Sequence, residues 1–235
     1  MATKRIRNAA AWLLIAAVTT ACNGILDGIY DDPDEADATT GAGVTGSLST
    51  TGYGFVAYDA DTHRGQLYVD ATDYYTWTYL NFHTLTTDTF LIDLTLDTPL
   101  ADEPTDWDIA LHRWDVRTNG GEALETTYTS LDDLAAAGTL PTGDYVEDTW
   151  YEYVAVDMTD VVTGNIGYLS CYVNLELSKW MDVSTGYGPP TYTASGRVYM
   201  VHLADDTYLA LLLSNYMNTS GTKGYLTIDY IYPFD

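Results

Sequence analysis

Apolar and polar positions change places along much of this chain with a period of two. Trp107, Ile109 and Leu111 interleave with Asp108, Ala110 and His112, the pattern of a strand that buries one face. The stretch from Phe90 to Leu96 ends in the same alternation. Such patterns, with their β-branched and aromatic content, predict strands over residues 66–70, 74–82, 89–96, 107–113, 150–158, 168–177, 197–203, 208–214 and 225–232. Leu209 to Leu213 is unbroken apolar sequence, suited to a strand covered on both faces. Turn chemistry separates these runs at Asp205-Asp206, at Ser220 to Gly224 and at Asn119-Gly120-Gly121. The last of these should form a loop with at least one residue at positive φ. One segment, residues 131–137, carries a helical signature, with Ser130 as cap, Asp133 at the capping-box offset and Gly138 as stop. The expected fold is all-β, predominantly antiparallel, with one short helix.

The amino terminus stands outside that pattern. Lys4, Arg5 and Arg7 precede an apolar run from Ala9 to Val18, and small residues lead into Cys22. This is the pattern of a secretory signal peptide. Its apolar run is too short for a stable bilayer-spanning helix, which needs roughly 20 apolar residues. The residues before Cys22 are similar to a bacterial lipobox, so residues 1–21 are expected to be removed and Cys22 lipidated. The alternative is plain secretion with cleavage near Ala21. Residues 22–50 read as an acidic, Gly- and Thr-rich tether, and residues 51–235 as one β domain of ample size for a core. With Cys22 given to lipid, Cys171 is the one remaining thiol, and no intramolecular disulfide can form.

Charge narrows the partners. All 34 Asp and Glu follow Cys22, whereas three of the nine Lys and Arg precede it, leaving six cations and a net charge of −28. Nucleic acid is excluded as a partner, since its binding rests on cations at phosphates. Membrane attachment is expected through the lipid anchor only, because anionic headgroups repel such a surface. Enzyme chemistry lacks its parts. There is no Gly-x-Ser-x-Gly elbow, Cys171 sits mid-strand among apolar neighbours, and His63, His83, His112 and His202 share no zinc-ligand spacing. Asp59-x-Asp61 lacks the glycine and glutamate of a calcium loop and reads as a surface turn.

Three groups of segments carry a resemblance. The first is Asp106 to Arg113 followed by Val116 to Gly121. The second is Arg197 to Val201, Asn215 to Asn218 and Lys223 to Pro233. The third is Asp157-Met158-Thr159, Gly164 to Tyr168, Lys179-Trp180 and Pro189 to Tyr192. In order, and over most of residues 50–233, they closely resemble the HmuY family of haem-binding lipoproteins. The resemblance implies an all-β fold shaped like a grasping hand, with haem held between two loops at one end. It further implies a lipid-anchored, surface-exposed outer-membrane protein (or one released from the cell) that passes haem to a TonB-dependent outer-membrane receptor. The cluster of Asp27, Asp31, Asp32, Asp34, Glu35 and Asp37 is similar to the acidic tag that sends some Bacteroidota lipoproteins to the cell surface.

The family's two iron-ligating positions fall here on Val161-Val162 and Gly188, whose side chains cannot coordinate iron. Neighbouring donors replace them as candidates. Met158 offers a thioether and Tyr187 a phenolate, both of which haem iron accepts; Met181 is a third choice. Trp180 and Tyr192 are candidate porphyrin-stacking rings, with Tyr168 nearby. His112, on a strand shared across the family, reads as structural, and Met200 and His202 as packing. The alternative function is a binding module of the same fold that has lost haem ligation and takes another apolar ligand or a protein partner.

Overall fold

The computed structural model describes residues 52–91, 103–184 and 189–235. The signal segment, Cys22, the tether, residues 92–96 of one expected strand, Tyr187 and Gly188 lie outside the described residues.

The elements run in the order β1 (Gly54–Asp59), β2 (Arg64–Asp70), β3 (Thr76–Asn81), β4 (Thr86–Leu91), β5 (Ile109–His112), β6 (Asp115–Thr118), β7 (Glu122–Glu125) and α1 (Leu131–Ala137). There follow β8 (Val146–Glu147), β9 (Thr149–Asp157), β10 (Gly167–Val173), β11 (Met181–Ser184), β12 (Thr191–Ala194), β13 (Val198–His202), β14 (Tyr208–Met217) and β15 (Lys223–Ile231). Every pairing is antiparallel. A seven-stranded sheet has the order β1-β2-β15-β14-β13-β7-β8, a four-stranded sheet the order β4-β3-β5-β6, and β9–β10 and β11–β12 are separate hairpins. No helix among the described residues is long and apolar enough to cross a membrane.

The strand alternation explains three layers of packing. Between the sheets, Ile109 and Leu111 of β5 meet Leu209, Leu211 and Leu213 of β14 and Leu226, Ile228 and Tyr230 of β15 in the main core. The opposite side chains of the large sheet, Val198, Met200 and Ala210, pack under Leu131 and Leu134 of α1. The opposite side chains of the small sheet, Trp77, Tyr79 and Ala110, pack against Cys171 of β10. β14 is therefore covered on both faces, as its apolar run predicts.

The same cover corrects the expectation for residues 107–113. β5 is buried on both faces rather than one, because the β9–β10 hairpin lies over the side that would otherwise meet solvent. Trp107 precedes the strand and is half-buried in the outer layer, where its Nε1 donates to the Pro104 carbonyl at 2.8 Å; it does not reach the main core. Gly120 adopts φ 78°, as the Asn-Gly-Gly turn requires. Ser130 Oγ accepts from the Asp132 and Asp133 amides, and Gly138 closes α1 in the left-handed region. Asp59 Oδ1 accepts from the Asp61 and Thr62 amides at 2.9 and 3.3 Å, so that motif is a surface turn.

Candidate functional site

Two hairpins, β9–β10 and β11–β12, carry the described residues next to the expected ligand-bearing segments. β9 ends at Asp157, and Met158 follows it half-buried. Asp157 Oδ1 accepts from the Thr159 amide at 2.9 Å, a bond that holds its carboxyl below the usual range. The Met158 carbonyl then accepts from Val161, opening a 3-10 turn over Val161–Thr163 that Gly164 ends at φ 85°. Val162 projects into solvent at 75% exposure. Met158 instead lines a cleft of about 380 Å³ with Thr72, Asp73, Tyr74, Tyr75 and Val156.

Tyr74 links this cleft to a cluster of rings. It meets Trp114 edge-on at 6.3 Å, and the Arg113 guanidinium lies 4.3 Å from its centroid. Burial pushes its phenol up to about 12, although Arg113 pulls the other way. Trp114 is tilted against Tyr192 at 5.8 Å, and Tyr192 stacks on Tyr216 at 5.3 Å. Tyr192 sits on β12 opposite Val183, half-buried, just after the Pro189-Pro190 pair. Tyr74 thus shares the Met158 cleft and belongs to the ring cluster that includes Tyr192. Tyr187, on the connection between β11 and β12, lies outside the described residues.

The other candidates are placed differently. Trp180 is 1% exposed, and its Nε1 donates to the Trp114 carbonyl at 3.0 Å. Its ring is spent on the core and on holding Trp114, so it presents no face to a ligand in this conformation. Met181 is likewise buried. His112 is fully buried, with Nε2 2.8 Å from the Tyr74 carbonyl; it positions the Tyr74 segment. Met200 is fully buried beneath α1, and the half-buried His202 stacks on Tyr208. No group of three His, Cys, Asp or Glu side chains among the described residues could hold a metal ion. Sequence reasoning missed the adjacent pair Arg113-Trp114 and the distant Tyr74 and Tyr216, which come from β-strand ends and turns that nothing local in the sequence joins to that pair.

Comparison with known proteins agrees with this architecture. A family model described as HmuY protein matches residues 73–230. Among solved structures, a candidate lipoprotein from Bacteroides fragilis is 45% identical, with a TM-score of 0.73 over 80% of this chain and 98% of that one. A candidate HmuY-like haem-binding protein from Bacteroides vulgatus is 50% identical, with a TM-score of 0.68 over 78% of this chain and 99% of that one. The apo HmuY analogue of Tannerella forsythia is 28% identical, with a TM-score of 0.58 over 71% of this chain and 94% of that one. No curated protein matches the chain.

Proposed function

Because this chain belongs to the HmuY family, we propose that it is a lipid-anchored surface protein that binds haem and passes it to an outer-membrane transporter. The observation that carries the reading is the cleft that half-buried Met158 lines together with Tyr74 and Tyr75, beside the ring cluster that includes Tyr192. Met158 would supply an iron ligand there, and Tyr192 a stacking face, with affinity coming largely from burial of the porphyrin against rings. Tyr187 is the proposed donor from the opposite hairpin. Iron held by a thioether favours the ferrous state relative to histidine, and iron held by a phenolate the ferric state.

Titrating the purified protein with haemin, oxidised and reduced, tests this directly. Met158→Ala should shift the Soret band and weaken ferrous binding, and Tyr187→Phe should alter the charge-transfer band of the ferric complex. A haem-binding protein whose spectrum neither change affects would remove both residues as ligands. The exposed Val162 in a family ligand position favours a second reading, a module of this fold that binds an apolar ligand without iron ligation. A wild-type protein with no spectral shift in either oxidation state would select it.

A further inference from the structure

The six cations that follow Cys22 divide by partner. Arg64, Arg117 and Lys179 form ion pairs with Asp132, Glu103 and Glu176. Arg197 donates to the Thr127 carbonyl at 2.8 Å. Arg113 and Lys223 have no ion pair among the described residues, and both lie at the ring cluster. Lys223 Nζ is exposed, 5.5 Å from the Tyr192 centroid. Arg113 is 4% exposed, donates Nη1 to the Ala71 and Thr72 carbonyls, and lies 6.0 Å from the Tyr216 centroid. The ring cluster links the two, since Lys223 lies over Tyr192, which stacks on Tyr216, and Arg113 lies beside Tyr216.

Two polar atoms are left over at the same place. Among the described residues, Arg113 Nε and the Tyr216 hydroxyl are buried without a hydrogen-bond partner. The carbonyls and rings offset part of the cost of burying Arg113, but its charge is not neutralised. In so acidic a chain, carboxylates are not scarce. The nearby ones are engaged elsewhere: Asp70 with Thr72, Asp73 with Tyr75 and Thr76, and buried Asp115, whose charge also reaches Tyr216, with His112. The result is a positive spot beside an aromatic face on a strongly negative surface.

We infer that Lys223, backed by the field of Arg113, anchors a carboxylate of a planar aromatic ligand that stacks at Tyr192. The inference rests on reading the ring cluster as a ligand site, and it does not require iron. It explains how a chain whose residues after Cys22 carry a net charge of −28 would accept an anionic ligand, and it sets the ligand's orientation, with its carboxylate toward Lys223.

The test compares haemin, its dimethyl ester and metal-free protoporphyrin IX, read by Soret absorbance and by quenching of tryptophan fluorescence. Lys223→Glu should weaken haemin and protoporphyrin about fivefold at low salt, the scale of an exposed ion pair, and leave the ester unchanged. Lys223→Arg should retain wild-type affinity, and about 1 M salt should shrink the difference. Because Lys223 is exposed, melting temperature should stay constant across the variants. Equal effects on acid and ester, or no effect of Lys223→Glu on a ligand that binds, would overturn the anchor and leave the haem reading standing. Lys223-dependent binding of protoporphyrin without any haemin Soret shift would overturn iron ligation and keep the anchor. If no porphyrin binds, both fall.

Discussion

Asp115 shows what burial does to a single side chain here. It is 5% exposed on β6, its Oδ2 lies 3.6 Å from His112 Nδ1, and burial pushes its carboxyl up against the opposing pull of that histidine. A carboxyl whose folded pKa is raised holds its proton more tightly folded than unfolded. Its contribution is neutral below about pH 4, the ordinary carboxylate value, and turns unfavourable as pH rises through the raised folded value. Asp115→Asn removes that titration. The melting temperature of the variant relative to wild type should therefore climb between about pH 4 and pH 7; a difference that stays flat over that range would refute the assignment. Cys171 responds to the same physics. Burial pushes its thiol up to about 12, which agrees with its reading from sequence as a core thiol and not a nucleophile.

At the scale of elements, α1 is the segment whose limits are written most plainly in local residues. Ser130 satisfies two amides that the first turn leaves open, and Gly138 takes φ 63° at no steric cost. Ser130→Ala should destabilise the protein by about 1 kcal/mol, seen as a fall of roughly 2–4 °C in melting temperature for a domain of this size. No fall would mean that the cap contributes nothing. The long strands were legible for a similar reason, since their alternation reflects the two sides of a sheet. The short strands β1, β6, β7, β8, β11 and β12 were not. Asp-Val-Arg-Thr of β6 has no apolar alternation, and it is a strand because it pairs with β5. The strand expected over 168–177 stops at Val173 because buried Asn174 turns the chain, its Oδ1 accepting from Leu177 and its Nδ2 donating to the Val146 carbonyl.

For the whole molecule, the proposed anchor at Cys22 and the tether of residues 22–50 separate attachment from folding. Among the described residues the core clusters begin at Phe55, with Tyr53 just before it stacked on Tyr68 and Tyr225. Cys22→Ser should accordingly move the protein from the membrane fraction to the soluble one while its melting temperature stays constant. Retention in the membrane at wild-type level would show that something other than lipid at Cys22 holds it there. The strongly acidic surface that would keep the released protein soluble is also what makes the positive spot at Arg113 and Lys223 informative.

By itself the sequence determined what depends on near neighbours or on sums over the chain. The long strands, the capped helix, the Asn-Gly-Gly turn, the acidic balance and the ordered segments that resemble HmuY proteins are all of this kind. Only the tertiary structure decided which rings are buried in the core and which reach the surface. Trp180 and Tyr192 look alike as aromatics in sequence, but a hydrogen bond to the Trp114 carbonyl draws Trp180 into the core. Tyr192 stays half-buried on β12, where Tyr216 and Trp114 support it. Likewise β5 shows its buried second face only once the β9–β10 hairpin lies across it. Burial and contact between distant segments follow from how sheets pack, and residue order along one strand carries no record of what will cover it.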